Sequence, residues 1–293
     1  MAWTTNDRVM AIREQVRPFD IFAEMMDGWR RHLSGRNASL LAFFSFLSIF
    51  PLMLAGVTIL GFFLSGNVDL QKTIIDSAAS EIPVLGKTLA DNPESIDGSI
   101  TALIIGLSLA LWSSTKAFVG LQGALDDSWE VPVDGRDNLP KLRGKALLGL
   151  TIVGVSQVGS LVLAIIVAET ELPAVGDTAL IAATTVTNIV VIAAMYRFLT
   201  SYSATWSDVW IGAIFAGLVF TLLQHFGTAI VQRLAEGDNE AFSTINTILG
   251  LITWLSLIGI TVIMCAELNA ARKRLSDGKH VERGPEMNLA IRN

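Results

Sequence analysis

Histidine is the first residue type to test for chemistry, because imidazole can ligate a metal or move a proton near neutral pH. The three histidines, His32, His225 and His280, lie far apart with no ligand spacing between them, so no metal site is expected. The single cysteine, Cys265, excludes an internal disulfide and reads as packing rather than redox chemistry. Gly86-Lys87-Thr88 matches the end of a phosphate-binding loop, but Glu81 stands where the earlier glycine is required. No serine nucleophile elbow appears, and no basic patch interleaved with aromatics for nucleic acid. The expectation is a non-enzyme with no catalytic residue, cofactor, metal or nucleic-acid partner.

What remains is a set of polar residues inside apolar stretches. Ser45, Ser48 and Pro51 follow one another at intervals of three, and Pro51 removes a backbone hydrogen bond that a serine can compensate. Gln157, Asn188, Gln224, His225 and Asn246 sit inside or near the ends of later stretches. Together these eight are candidates for a cavity wall or substrate path; each also fits a hydrogen bond between helices. A proton relay through His225 would want an acid nearby in the apolar stretches, and none of them contains one. Gly212 with Ala216, and Ala213 with Gly217, form rows of small residues suited to close helix packing. Arg197 and Glu267 fall at two helix ends as a candidate structural ion pair; alternatively, each snorkels alone to the headgroups.

The elements that must hold these residues are long and apolar. The chain has 293 residues, 52% hydrophobic and 16% charged, where soluble domains carry about 25% charge. Mean hydropathy is +0.53. Charge disappears from six blocks, roughly 40–64, 99–115, 146–168, 178–196, 209–232 and 241–266. About 20 apolar residues span a hydrocarbon core as a helix. Only helices pair every backbone group within one segment, and barrel-like alternation is missing. The expected fold class is therefore an all-α integral membrane protein, a bundle of six transmembrane helices. Of the 21 Lys and Arg, 18 fall on one side of this topology: before the first block, in the 116–145 and 197–208 loops, and in the tail. By the positive-inside rule both termini are cytoplasmic. The opposite loops, 65–98 above all, are acidic.

Three regions follow: a cytoplasmic segment 1–36, a membrane domain 37–268, and a basic tail 269–293. No secretory signal is visible in the first region. Phe19, Phe22, Ala23, Met26, Trp29 and Leu33 recur there at helical spacing, with Asp20, Glu24, Asp27 and Arg31 opposite. This predicts an amphipathic helix, either lying on the inner leaflet or packed on the cytoplasmic helix ends. A short helix around Ile74, Ile75 and Ala78 is expected to end before Pro83. The second block should continue inward to about Leu125 before Pro132, Gly135 and Pro140 break it.

Four stretches carry a resemblance. Asn37 to Pro51 (NASLLAFFSFLSIFP) resembles the first-span signature of the YihY/BrkB family of bacterial inner-membrane proteins. Met195–Leu199 followed by Trp206–Ala213, Leu251–Leu257 leading into Cys265–Asn269, and Gly120–Leu125 are similar to that family in order and spacing. The resemblance places Pro51, Arg197, Phe198, Gly212, Ala213, Glu267 and Leu268 on family positions. Thr200 stands where members often have Pro, Ile245-Asn246 where they often have Tyr-Gly, and Phe43 where they often have Tyr. It implies a transport or envelope protein of the inner membrane, linked to lipid or lipopolysaccharide traffic, and not a ribonuclease, despite an old label. The expected partners are the lipid bilayer, a lipid or amphipathic substrate and an envelope protein. The alternatives are export of a small solute or ion past His225, Gln224 and Gln157, or a scaffold for an envelope partner. Oligomeric state is not legible.

Overall fold

The computed structural model describes residues 4, 6–63, 100–168, 173–235 and 240–279. Among them every regular element is helical: α1 (Asp7–Gln15), α2 (Arg17–Arg31), α3 (Ser34–Phe63), α4 (Ile100–Ser128), α5 (Leu139–Ala168), α6 (Pro173–Phe198), α7 (Trp206–Ala235) and α8 (Glu240–Ser276), with a 3₁₀ turn at Val133–Gly135. Three of these carry segments long and apolar enough to cross a membrane: Thr178–Phe198, Trp206–Gln224 and Ile248–Ser276. The expected short helix in 65–98 lies outside the described residues.

Local chemistry sets the helix ends. The Asn6 side chain accepts from the Arg8 amide at 3.1 Å and caps α1. Pro18 opens α2, where its missing N–H costs nothing. Asp208 reaches back to the Thr205 amide at 2.8 Å and anchors the start of α7. Inside the helices, hydroxyls return to the carbonyl one turn earlier: Ser48 to Phe44 at 2.7 Å, Ser113 to Leu109 at 2.8 Å, Thr151 to Leu147 at 2.9 Å and Ser256 to Ile252 at 2.7 Å. Each of these hydroxyls is thereby satisfied within its own helix.

The chain divides into two compact units. One comprises Met1–Ser39, Phe118–Thr221 and Gly259–Asn293; the other Leu40–Ala117 and Leu222–Ile258. In the second unit, Trp254 Nε1 donates to the Leu223 carbonyl at 3.1 Å, and its indole lies against Gly227, where a Cβ would collide with it. Lys116 sits 6.0 Å from the centre of the Trp112 ring.

The first unit has a core of small residues with a few large ones among them. Ala213 and Ala216 are fully buried, alongside Tyr196, Leu125, Leu199, Ile263 and Val209. At Gly212 a Cβ would strike the Cys265 carbonyl, and at Gly217 it would strike the Ile189 backbone. These approaches are close because the residues are small, as the two rows predict. Tyr196 donates its hydroxyl to the Val262 carbonyl at 2.5 Å, and Asn269 bridges α8 to α7 by accepting from Gly212 N at 2.7 Å and donating to Val209 O at 3.0 Å.

The N-terminal helix forms where the periodicity places it, but its buried face differs from a simple apolar one. Glu24 is fully buried while Phe22 and Leu33 are exposed. The reason is supplied by arginines from elsewhere in the chain, described next.

Candidate functional site

A buried charged cluster joins α1, α2, the start of α3, the end of α4 and the end of α8. Arg13 on α1 grips three carboxylates spaced along one face of α2. Its Nε donates to Asp20 at 2.6 Å, and its two Nη atoms donate to Asp27 and Glu24, each at 3.1 Å. Thr4 adds a hydroxyl to Asp27 at 2.6 Å. The second oxygen of Glu24 accepts from Arg274 Nε at 3.3 Å, and Arg274 Nη1 donates to the Ser128 carbonyl at 2.9 Å. A fully buried carboxylate between two arginines is paired as burial requires.

Glu267 is the second buried acid, with 0% of its surface exposed. Its Oε1 accepts from His32 Nδ1 at 2.8 Å and from the Ser34 hydroxyl at 2.8 Å, with the Ser128 hydroxyl at 3.1 Å. Its Oε2 lies 4.0 Å from Arg274 Nη2. Gly28 makes room for this pair, since a Cβ there would sit 2.5 Å from Glu267 Oε2 and 3.0 Å from Arg274 Nη2. On the outer side of the ring, His32 Nε2 faces Glu130 at 3.5 Å. Burial opposes the imidazolium, but Glu130 and Glu267 outweigh it and push the His32 pKa up to about 9. The His32 ring facing it in turn holds the Glu130 carboxyl below its usual range.

Leu33 and Glu130 have left-handed φ of 52° and 53°, and no other non-glycine residue among the described residues does. Both flank His32 in space, so unfavourable backbone is spent holding this cluster. Beside it, Asp126 is buried and ties down the loop after α6. It accepts from Thr200 Oγ1 at 2.7 Å, Ser201 N at 2.6 Å and Ser201 Oγ at 2.8 Å. Asp137 receives Lys141 and Lys145 at 2.6 and 2.5 Å; burial would raise its pKa, but the two lysines keep it low.

The structure corrects one pairing. Glu267 meets His32, Ser34 and Ser128 rather than Arg197, whose guanidinium lies 4.4 Å over the Trp206 ring. The eight candidate path residues do not form one cluster among the described residues. Asn188 donates to Thr221 Oγ1 at 3.1 Å, tying α6 to α7. Ser48 is buried and bonded within its own helix, Ser45 and Gln224 are half-buried, and Gln157 and Asn246 are exposed. The side chains of Pro51 and His225 lie outside the described residues, although both positions are helical.

Another feature was not singled out from the sequence. Thr151, Ile152, Val155 and Ser156 on α5 face Val186, Thr187, Val190 and Val191 on α6 across a groove of about 500 Å³. Two of its three hydroxyls are occupied at home, Thr151 on Leu147 at 2.9 Å and Ser156 on Val153 at 2.8 Å. The groove therefore presents an apolar surface suited to a hydrocarbon chain.

Helices with apolar outer faces, gathered at one place onto a buried ionic knot, describe a membrane protein. The family model for Virulence factor BrkB matches residues 25–290. The chain belongs to the BrkB family. Comparison with curated proteins and with solved structures returns no match. Of the family positions, Gly212 lies in the α7–α8 contact, Ala213 is fully buried and Glu267 is at the centre of the charged cluster, while Arg197 and Phe198 pack on Trp206. Thr200, where members often have Pro, spends its hydroxyl on Asp126.

Proposed function

We propose that this BrkB-family chain crosses the bacterial cytoplasmic (inner) membrane six times with both termini in the cytoplasm. There it works as a non-enzymatic transport-type protein that moves or handles a lipid or amphipathic envelope component. The observation that carries this reading is the α5–α6 groove. Its wall is mostly apolar, the Thr151 and Ser156 hydroxyls are bonded within their own helix, and it contains no charge that could coordinate an ion. An acyl chain gains from such a wall, whereas a hydrated ion would lose its water for nothing. The lopsided distribution of Lys and Arg supports the orientation.

Reconstituted liposomes test it. Full-length protein should accelerate exchange of labelled phospholipid between leaflets, and Val155→Trp with Val190→Trp, which fills the groove, should slow it several-fold. No acceleration of any phospholipid by the wild-type protein would contradict the reading.

A further inference from the structure

We infer that the end of α8, with the starts of α2 and α7, forms a fixed site for the phosphate of an anionic lipid headgroup. A recess of about 220 Å³ is lined by Arg17 and Ile21 of α2, Ser207 and Asp208 of α7, and Asn269, Arg272, Lys273, Leu275 and Ser276 of α8. Three cations from two helices thus converge on one small hollow. Lys273 is paired with Asp277 at 3.0 Å, but no carboxylate among the described residues forms a salt bridge with Arg17 or Arg272. Asp208 does not neutralise them fully, because its Oδ2 is engaged by the Thr205 amide at 2.8 Å and the Thr205 hydroxyl at 2.5 Å. Two guanidiniums without a salt bridge, beside the single carboxylate of Asp208, leave the recess net positive and match a phosphate, which accepts forked donors.

The surroundings select a lipid as the bearer of that phosphate. Val16, beside Arg17, is exposed, and so are Ile12 and Phe22. Trp206 and Trp210, at the start of α7, are about half exposed. Amphipathic rings at the end of an apolar helix sit at the headgroup level, and basic pockets at that level hold anionic headgroups. The recess then takes the headgroup while the neighbouring apolar residues meet its chains. The inference rests on the membrane placement of α7 and α8, not on transport.

Native mass spectrometry of the full-length protein, with phosphatidylglycerol and phosphatidylethanolamine of identical chains, provides the test. Wild type should retain phosphatidylglycerol in preference, and Arg17→Gln with Arg272→Gln should reduce that preference about thirtyfold, two surface cations being removed. Inorganic phosphate should compete only weakly. Arg36→Gln with Arg143→Gln removes the same charge from exposed positions elsewhere and should leave the preference intact. Equal retention of both lipids by wild type would overturn the inference, as would an equal loss in the Arg36/Arg143 variant. Phosphate binding without lipid preference would also overturn it, by making this a free-phosphate site. Failure of leaflet exchange with the lipid preference preserved would remove the transport reading and leave this site standing.

Discussion

Within the first unit, the charged cluster and the middles of α5 and α6 follow opposite rules. In the cluster, Glu24 and Glu267 are fully buried; Glu24 is matched by Arg13 and Arg274, and Glu267 by His32 and the Ser34 and Ser128 hydroxyls. Along α5 and α6, Val155 is 68% exposed and Val186 60%, while Asn188 turns inward to Thr221. Water around α5 and α6 would penalise this arrangement at about 25 cal/mol per Å² of exposed apolar surface. Hydrocarbon around them would not. The difference teaches that the buried cluster is organised by ionic contacts, whereas the outer faces of α5 and α6 are apolar and suit hydrocarbon rather than water.

The comparison can be broken first at Glu267. Glu267→Ala leaves the protonated His32 and Arg274 without their buried partner, and should destabilise the protein by about 3–5 kcal/mol. Thermal melting in detergent measures this, and an unchanged melting temperature would make the cluster decorative. Acidity gives a second handle. Because the pKa of His32 is raised to about 9, its contribution is fully present below the unfolded value of about 6.5 and is lost as pH rises through about 9. Glu130, with its pKa lowered, contributes above its unfolded value of about 4.5 and loses that contribution below it. Stability should therefore be highest between about pH 5 and 6.5 and fall by up to about 3 kcal/mol towards pH 9, read as a falling melting temperature. His32→Gln should flatten the alkaline limb.

Packing between the helices is tested by adding bulk. Gly212→Ala drives a methyl into the Cys265 carbonyl and should cost about 1–3 kcal/mol, despite alanine's better helix propensity. A stabilised variant would mean that α7 and α8 do not meet closely there. Asn188→Ala removes one hydrogen bond to Thr221 and should cost only about 0.6 kcal/mol, the average for such bonds between membrane helices. A loss several times larger would give Asn188 a role beyond packing.

Periodicity and charge-free length made the helices legible, because those signals are local. The small-residue rows at Gly212–Gly217 were legible for the same reason: size alone decides how near two backbones come. The pairing of Glu267 was not. His32 and Ser34 approach it from more than 230 positions upstream, while Arg197 looked suitable only because it too ends an apolar stretch. Arg197 finds the Trp206 ring instead. The inward turn of Glu24 could have been suspected from Asp20, Glu24 and Asp27, which share one face of α2 and wait for a cation. That the cation is Arg13, with Arg274 behind it, depends on the fold. The α5–α6 groove left no mark in the sequence, since Val and Thr at those positions resemble any lipid-facing helix.

Cysteine labelling reaches the central claim most directly. In a Cys265→Ala background, single cysteines at Arg143, exposed near the start of α5, and at Val186, on the exposed face of α6, are treated with a membrane-impermeant maleimide. Arg143→Cys should react only after the cells are permeabilised, and Val186→Cys should resist the reagent in both states. Reaction at position 143 in intact cells, or free reaction at position 186, would contradict the account.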